Sequence, residues 1–128
     1  MEPEINKPGT KGVTHIFAAF GYSMQGLKAA LRYEEAFRLE LIALVLLLPL
    51  AVWLGQSAAE MSLLIGSLFL VLLVELLNSS IETVVDRIGT EHHELAGRAK
   101  DLGSAAVFIS QMNVLVIWGL FIYERLSS

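Results

Sequence analysis

Cysteine is absent from this 128-residue chain, and charged side chains make up only 17% of it. Without cysteine, the chain can form neither a disulfide nor a thiolate metal site. Soluble domains are roughly a quarter charged and about 45–50% apolar, whereas 55% of these residues are hydrophobic. The low charge excludes intrinsic disorder, and the apolar excess predicts a single membrane domain over residues 1–128. Acidic residues outnumber basic ones by 13 to 9, which argues against a nucleic-acid partner.

Apolar residues are concentrated in three blocks, with the charges between them. Residues 41–55, 61–74 and 102–123 contain no charged side chain. A membrane-spanning helix needs about 20 mostly apolar residues. We therefore predict an all-α membrane protein with three transmembrane helices, at about 36–55, 60–86 and 100–123. The second of these must accept a carboxylate, that of Glu75, inside the bilayer.

The residues before the first span divide into two parts. Residues 1–12 contain two prolines and several charges, and we expect them to form a flexible leader. In residues 13–33, apolar side chains recur every three or four positions, while Gln25, Lys28 and Arg32 fall elsewhere on the helical wheel. This pattern predicts an amphipathic helix on the membrane surface. A helix packed against a partner protein is the alternative.

The basic residues predict the orientation of the chain. Most of them precede the first span or lie between the second and third spans, and the connection between the first two spans has none. Loops rich in lysine and arginine stay in the cytoplasm. We therefore expect the N-terminus and the second connection to be cytoplasmic. The residues concerned are Lys7, Lys11, Lys28, Arg32 and Arg38 before the first span, and Arg87, Arg98 and Lys100 in the second connection.

A row of polar residues follows one face of the second span. Glu75, Asn78, Glu82 and Asp86 stand at helical spacing, so all four point to the same side. Each carboxylate inside a bilayer costs about 3 kcal/mol unless it is paired, protonated or hydrated. Hydrogen bonds between helices of an oligomer are one explanation. Stacked like charges instead favour a cation, and hard oxygen ligands of this kind suit Mg²⁺ and its nucleotide phosphates.

The connection after this row adds further polar residues. Lys100 is a natural counter-charge for a phosphate group. A zinc site at His92 and His93 is disfavoured, because adjacent side chains on a helix point in different directions. The chain contains neither a Walker A loop nor a GxGxxG motif, so a nucleotide must bind by another arrangement.

The segment VELLNSSIETVVDRIGTEHHELAGRAKDLGSA, residues 74–105, closely resembles the signature of the prokaryotic diacylglycerol kinases, a family of small integral membrane kinases. Residues 21–30, GYSMQGLKAA, and 34–40, EEAFRLE, also resemble that family. The resemblance covers nearly all of the chain beyond residue 12. It implies a homotrimeric helical bundle in the bacterial inner membrane, with a surface helix and three transmembrane helices in each protomer. The N-terminus and the active site would be cytoplasmic.

The resemblance also implies a reaction, in which the γ-phosphoryl group of MgATP passes to the hydroxyl of diacylglycerol and gives phosphatidic acid and ADP. Glu75 matches the general base, and Glu34 and Glu82 match the Mg²⁺ ligands. The implied ATP-binding residues are His15, Tyr22, Glu34, Glu82, Glu91, His92, His93, Lys100 and Asp101. The implied lipid-binding residues are Ala19, Ser23, Met24, Glu75, Asn78 and Ser104.

Three residues depart from the family pattern. His15 stands where close relatives have arginine, Phe20 replaces an alanine, and Met24 replaces a tryptophan. These changes concern a phosphate contact and the shape of the lipid entrance, and they leave the acidic row intact.

Three alternatives remain beside a diacylglycerol kinase. An undecaprenol kinase of the same superfamily would share the fold and the chemistry. A small proton-coupled transporter would explain Glu75 but would leave Glu34, Glu82, Lys100 and Asp101 without a joint role. A purely structural subunit is disfavoured by the cost of the acidic row.

Overall fold

The computed structural model describes residues 11–128, so most of the predicted leader at 1–12 lies outside the described residues. The described part forms four helices, which are α1 (Gly12–Tyr33), α2 (Glu35–Leu54), α3 (Ala58–Ile88) and α4 (Glu94–Ser127). The last three are each long and apolar enough to cross a membrane. The predicted all-helical class and the three candidate spans are therefore confirmed. The surface position of α1 and the homotrimer stay predictions.

A single extended residue, Glu34, separates α1 from α2. The guanidinium of Arg38 donates through Nη1 to the carbonyl oxygens of Leu31 and Arg32, at 3.0 and 3.1 Å. Carbonyls in the last turn of a helix have no partner within that helix. Arg38 therefore caps the end of α1 and holds the corner at which Glu34 is placed.

The turn between α2 and α3 is also short and is closed by side chains. Ser57 Oγ accepts a hydrogen bond from the backbone N–H of Glu60 at 3.1 Å. The Glu60 carboxylate in turn accepts from the backbone N–H of Gln56 at 2.7 Å. This reciprocal arrangement resembles a capping box and satisfies donors that the start of α3 leaves without partners.

The connection between α3 and α4 comprises only residues 89–93. The predicted spans, 60–86 and 100–123, end where charged residues begin in the sequence. They therefore leave a longer connection between the second and third spans than the structure has. The structure shows that the helices continue past those charges: Arg98 lies on α4 and not in a loop. Charged helical turns are stable in water once their ends are capped. His93 provides the cap here, since its Nδ1 accepts from the N–H of Leu95 at 3.0 Å.

The core lies between α2, α3 and α4, with α3 in contact with both of the others. Its buried members include Leu44, Leu64, Leu68 and Trp118. The indole N–H of Trp118 reaches Ser67 Oγ at 3.1 Å and the carbonyl oxygen of Leu64 at 3.3 Å, and this contact is buried. A polar atom in such surroundings needs a partner. Trp118 therefore fixes how α4 lies against α3.

Removal of this hydrogen bond tests the role of Trp118. We expect Trp118→Phe to lower the free energy of unfolding by about 1–2 kcal/mol, since a buried donor is lost and a small void is left. Denaturation by SDS in mixed micelles would measure the change. Trp53→Phe is the matched control, because Trp53 is 59% exposed. An equal loss in both variants would contradict the assignment.

Candidate active site

The polar row on α3 becomes steadily more exposed along the helix. Glu75 and Asn78 are buried, at 5% and 8% exposure, Glu82 is half-buried and Asp86 is exposed. The Asn78 side chain donates through Nδ2 to Glu82 Oε1 at 3.4 Å. The row thus leads from the interior of the bundle to the end of α3 at which α4 begins.

Carboxylates from several parts of the bundle are within electrostatic reach of Glu75. Their sources are Glu82 on the same helix and Glu34 at the corner between α1 and α2. Glu40 on α2 also interacts with Glu75. Glu75, Glu34 and Glu82, for which the resemblance implies the roles of base and metal ligands, thus interact electrostatically. An accumulation of like charge in a medium of low dielectric is unfavourable without a cation.

Glu40 is a member of this group that the sequence-based prediction missed. Its Oε1 accepts from the side-chain amide of Gln111 on α4 at 3.4 Å. Its Oε2 is buried and has no hydrogen-bond partner in the described part of the chain. In the sequence, Glu40 stands directly before the uncharged block 41–55. Such a block predicts a membrane span but not a functional role for the acid beside it.

Asn78 lies where α3 and α4 are in close contact. Gly103 is buried, and a Cβ atom at this position would collide with Asn78 Oδ1. That oxygen is buried and accepts no hydrogen bond within residues 11–128. Small residues allow two helices to approach closely, and Gly103 does so here. At Gly97, near the start of the same helix, a Cβ would meet no atom within 4 Å.

A polar pocket of about 260 Å³ lies at the junction of α3 and α4, and we call it the loop pocket. It contains four of the predicted ATP-binding residues. Lys100 Nζ lies 2.8 Å from Asp86 Oδ1, and this ion pair joins the last turn of α3 to the second turn of α4. The four predicted residues in its lining are Glu91, His92, His93 and Lys100.

A larger groove of about 700 Å³ lies between α1 and α3, and we call it the α1–α3 groove. Two predicted residues, Ser23 and Glu34, line it together with apolar side chains such as Leu76. The hydroxyl of Ser23 donates to the carbonyl oxygen of Ala19 at 3.0 Å. The hydroxyl proton of Ser23 is thereby engaged, and its oxygen can act towards the groove only as an acceptor.

The remaining predicted residues are divided between α1 and α4. His15, Ala19, Tyr22 and Met24 lie on α1, and Asp101 and Ser104 lie on α4. None of these six residues lines the loop pocket or the α1–α3 groove.

The carboxylates suit a Mg²⁺ ion that brings other ligands with it. Among residues 11–128, no three Asp, Glu or His side chains converge closely enough to hold a metal ion alone. Mg²⁺ commonly uses one or two protein carboxylates and completes its shell with phosphates and water. Glu34 and Glu82, which both interact electrostatically with Glu75, are carboxylates of the kind that could hold such an ion.

The chain is similar to known lipid kinases over most of its length. The family model for prokaryotic diacylglycerol kinase matches residues 21–122. A diacylglycerol kinase of Haemophilus influenzae is 54% identical over 110 residues, which are 86% of this chain and 93% of that protein. Those of Escherichia coli K12 and Helicobacter pylori 26695 are 51% and 44% identical, over 91% and 90% of this chain and 95% and 90% of theirs.

The contact between Gly103 and Asn78 yields a stability prediction. Alanine ordinarily stabilises a helix by about 1 kcal/mol relative to glycine, but overpacking costs about 1–3 kcal/mol. We expect Gly103→Ala to lower the melting temperature in detergent, because Asn78 must move away. Gly119→Ala is the control, since a Cβ there meets no atom within 4 Å. An unchanged or higher melting temperature for Gly103→Ala would show that the contact is not restrictive.

Proposed function

The chain belongs to the prokaryotic diacylglycerol kinase family, and we propose that it transfers the γ-phosphoryl group of MgATP to the hydroxyl of diacylglycerol. The products are phosphatidic acid and ADP. The observation that carries this proposal is the row of acids on α3, which leads from the buried Glu75 to the exposed Asp86 beside Lys100. The row offers a carboxylate base in the interior of the bundle, and Lys100 beside its exposed end offers a cation that can bind an anion.

The nucleotide occupies the loop pocket in this proposal. Lys100 is 44% exposed and is positioned to donate to phosphate oxygens. Glu91, His92 and His93 surround the same pocket. An adjoining groove of about 340 Å³ is lined by apolar residues such as Val85, Ile88 and Leu95 and suits the flat base. His15, Tyr22 and Asp101 are the further nucleotide contacts that the family resemblance implies.

Glu34 and Glu82 are the residues that would hold the Mg²⁺ ion. When bound, the ion supplies positive charge to the phosphoryl oxygens during transfer. Glu82 receives the hydrogen bond of Asn78, which limits the rotation of its carboxylate. Glu34 is held at the α1–α2 corner by the Arg38 cap. Both ligands are thus positioned by neighbouring side chains, and phosphoryl transfer depends mainly on such positioning.

Glu75 is the proposed general base, because it is the most deeply buried carboxylate of the row. Its carboxylate accepts the proton of the lipid hydroxyl as the hydroxyl oxygen bonds to the γ-phosphorus. The bond from that phosphorus to the bridging oxygen breaks, and ADP leaves with the electron pair. The buried position keeps bulk water away from Glu75, so that the lipid alcohol rather than water is the acceptor.

The lipid approaches through the α1–α3 groove, whose apolar walls suit acyl chains. Ser23 lines this groove, and Ala19, Met24, Asn78 and Ser104 complete the lipid contacts that the resemblance implies. The exposed apolar side chains of α1, including Val13, Phe17 and Phe20, would rest in the cytoplasmic surface of the bacterial inner membrane. The homotrimer that the resemblance implies is part of the same proposal.

Neutral substitutions in the acidic row test this mechanism. We expect Glu75→Gln to reduce turnover by about 10²–10⁴-fold, as is typical for loss of a general base, while MgATP affinity stays unchanged. Glu82→Gln should weaken MgATP binding instead. Phosphorylation of diacylglycerol in mixed micelles and calorimetric MgATP titration would measure the two effects. The control is Glu124→Gln, an exposed site near the end of α4. Loss of nucleotide binding in Glu75→Gln would reverse the two assignments.

The choice of lipid acceptor is a separate prediction. We expect faster phosphorylation of diacylglycerol than of undecaprenol when each lipid is offered alone with MgATP, because segments 74–105 and 21–30 resemble the diacylglycerol kinases. Radiolabelled phosphate transfer would be measured for both lipids at matched mole fractions. A clear preference for undecaprenol would overturn this choice of substrate and keep the kinase chemistry. Flux driven by a pH gradient without ATP would favour a transporter.

A further inference from the structure

The cation that lines the loop pocket, Lys100, is already paired. Its Nζ lies 2.8 Å from Asp86 Oδ1, and the two side chains are 44% and 60% exposed. A ligand can therefore reach both. Asp86 has no part in the proposed chemistry, although it is the outermost acid of the row on α3.

Carboxylates outnumber cations around this pocket. Asp86 and Glu91 line it with Lys100, and Glu82 acts electrostatically on Lys100 as well. The lining thus contains two carboxylates, Asp86 and Glu91, and one lysine, Lys100. These carboxylates repel a polyanion that enters the pocket. A pocket in which Lys100 were the single charged residue would only attract it.

We propose that Asp86 is a specificity-determining residue, which makes the loop pocket select a nucleoside triphosphate bound to Mg²⁺ over the metal-free nucleotide. The inference rests on the proposed function, since it takes this pocket as the nucleotide site. Asp86 offsets the charge of Lys100, so the nucleotide must bring its own counter-charge. Because metal-free ATP has about twice the negative charge of its magnesium complex, the repulsion from Asp86 acts on it about twice as strongly.

A carboxylate that served only to hold Lys100 in position would behave differently. Its removal would leave Lys100 less ordered and would weaken the binding of both forms of the nucleotide. Removal of a selective negative charge strengthens binding, and it does so more for the form that bears more charge. The sign of the change and its dependence on Mg²⁺ therefore distinguish the two roles.

The test is calorimetric titration of the full chain in detergent micelles with ATP, once with excess Mg²⁺ and once with EDTA. We expect Asp86→Asn to strengthen the binding of metal-free ATP by about tenfold and of MgATP by about threefold. Asp86→Glu keeps the charge and should retain the wild-type ratio of the two affinities. Glu124→Gln removes the same charge about 36 Å from Lys100 along α4 and should change neither affinity.

Two outcomes would overturn the inference. Equal changes in both affinities would show that Asp86 does not discriminate by charge, and weaker binding of both forms would make it a positioning residue for Lys100. A second neutral variant, Asp86→Ser, provides the same test independently of the asparagine side chain. If the wild-type chain itself failed to bind MgATP, the proposed function and the inference would both be contradicted, whereas wild-type binding of MgATP together with either of the two outcomes above would contradict the inference alone.

Discussion

The cost of burying a carboxylate in an apolar helical bundle is the constraint on which the rest of this structure depends. Glu75 is 5% exposed and lies within electrostatic reach of Glu34, Glu40 and Glu82. Such a group is unfavourable by several kcal/mol unless cations or hydrogen-bond donors compensate for it. The cost of these acids must therefore be offset in part by contacts that hold the surrounding helices together elsewhere.

Two contacts along the α3–α4 pair provide that support. In the second half of α4, the indole of Trp118 is hydrogen-bonded to Ser67, and fifteen residues before it Gly103 lies against Asn78. The two helices run in opposite directions, so these contacts are separated by about 16–22 Å along the pair. The hydrogen bond of Trp118 fixes the position of α4 along α3, and the glycine contact sets how closely α4 approaches the polar row. A shift of α4 by one turn would break both.

Much of this architecture follows from composition and periodicity. Uncharged blocks mark the spans, and the helical period alone places Glu75, Asn78, Glu82 and Asp86 on one face. The partners across helices do not follow in the same way. The Lys100–Asp86 pair and the Gln111–Glu40 hydrogen bond depend on the register between helices, and register is a property of packing rather than of local sequence. The cap by His93 depends likewise on where α4 begins.

The buried side-chain atoms that lack a hydrogen-bond partner are all acceptors in the described part of the chain. Within residues 11–128, the buried side-chain atoms without a hydrogen-bond partner are Glu40 Oε2 and Asn78 Oδ1. Both are acceptors, and both belong to the acidic group around Glu75. Buried polar groups are nearly always satisfied, and exceptions call for an explanation. Under the proposed function, such acceptors suit the ligands of the site, because a substrate hydroxyl donates to an acceptor and a cation is coordinated by one. Lys100, by contrast, lies at the exposed end of the row, where it is paired with Asp86.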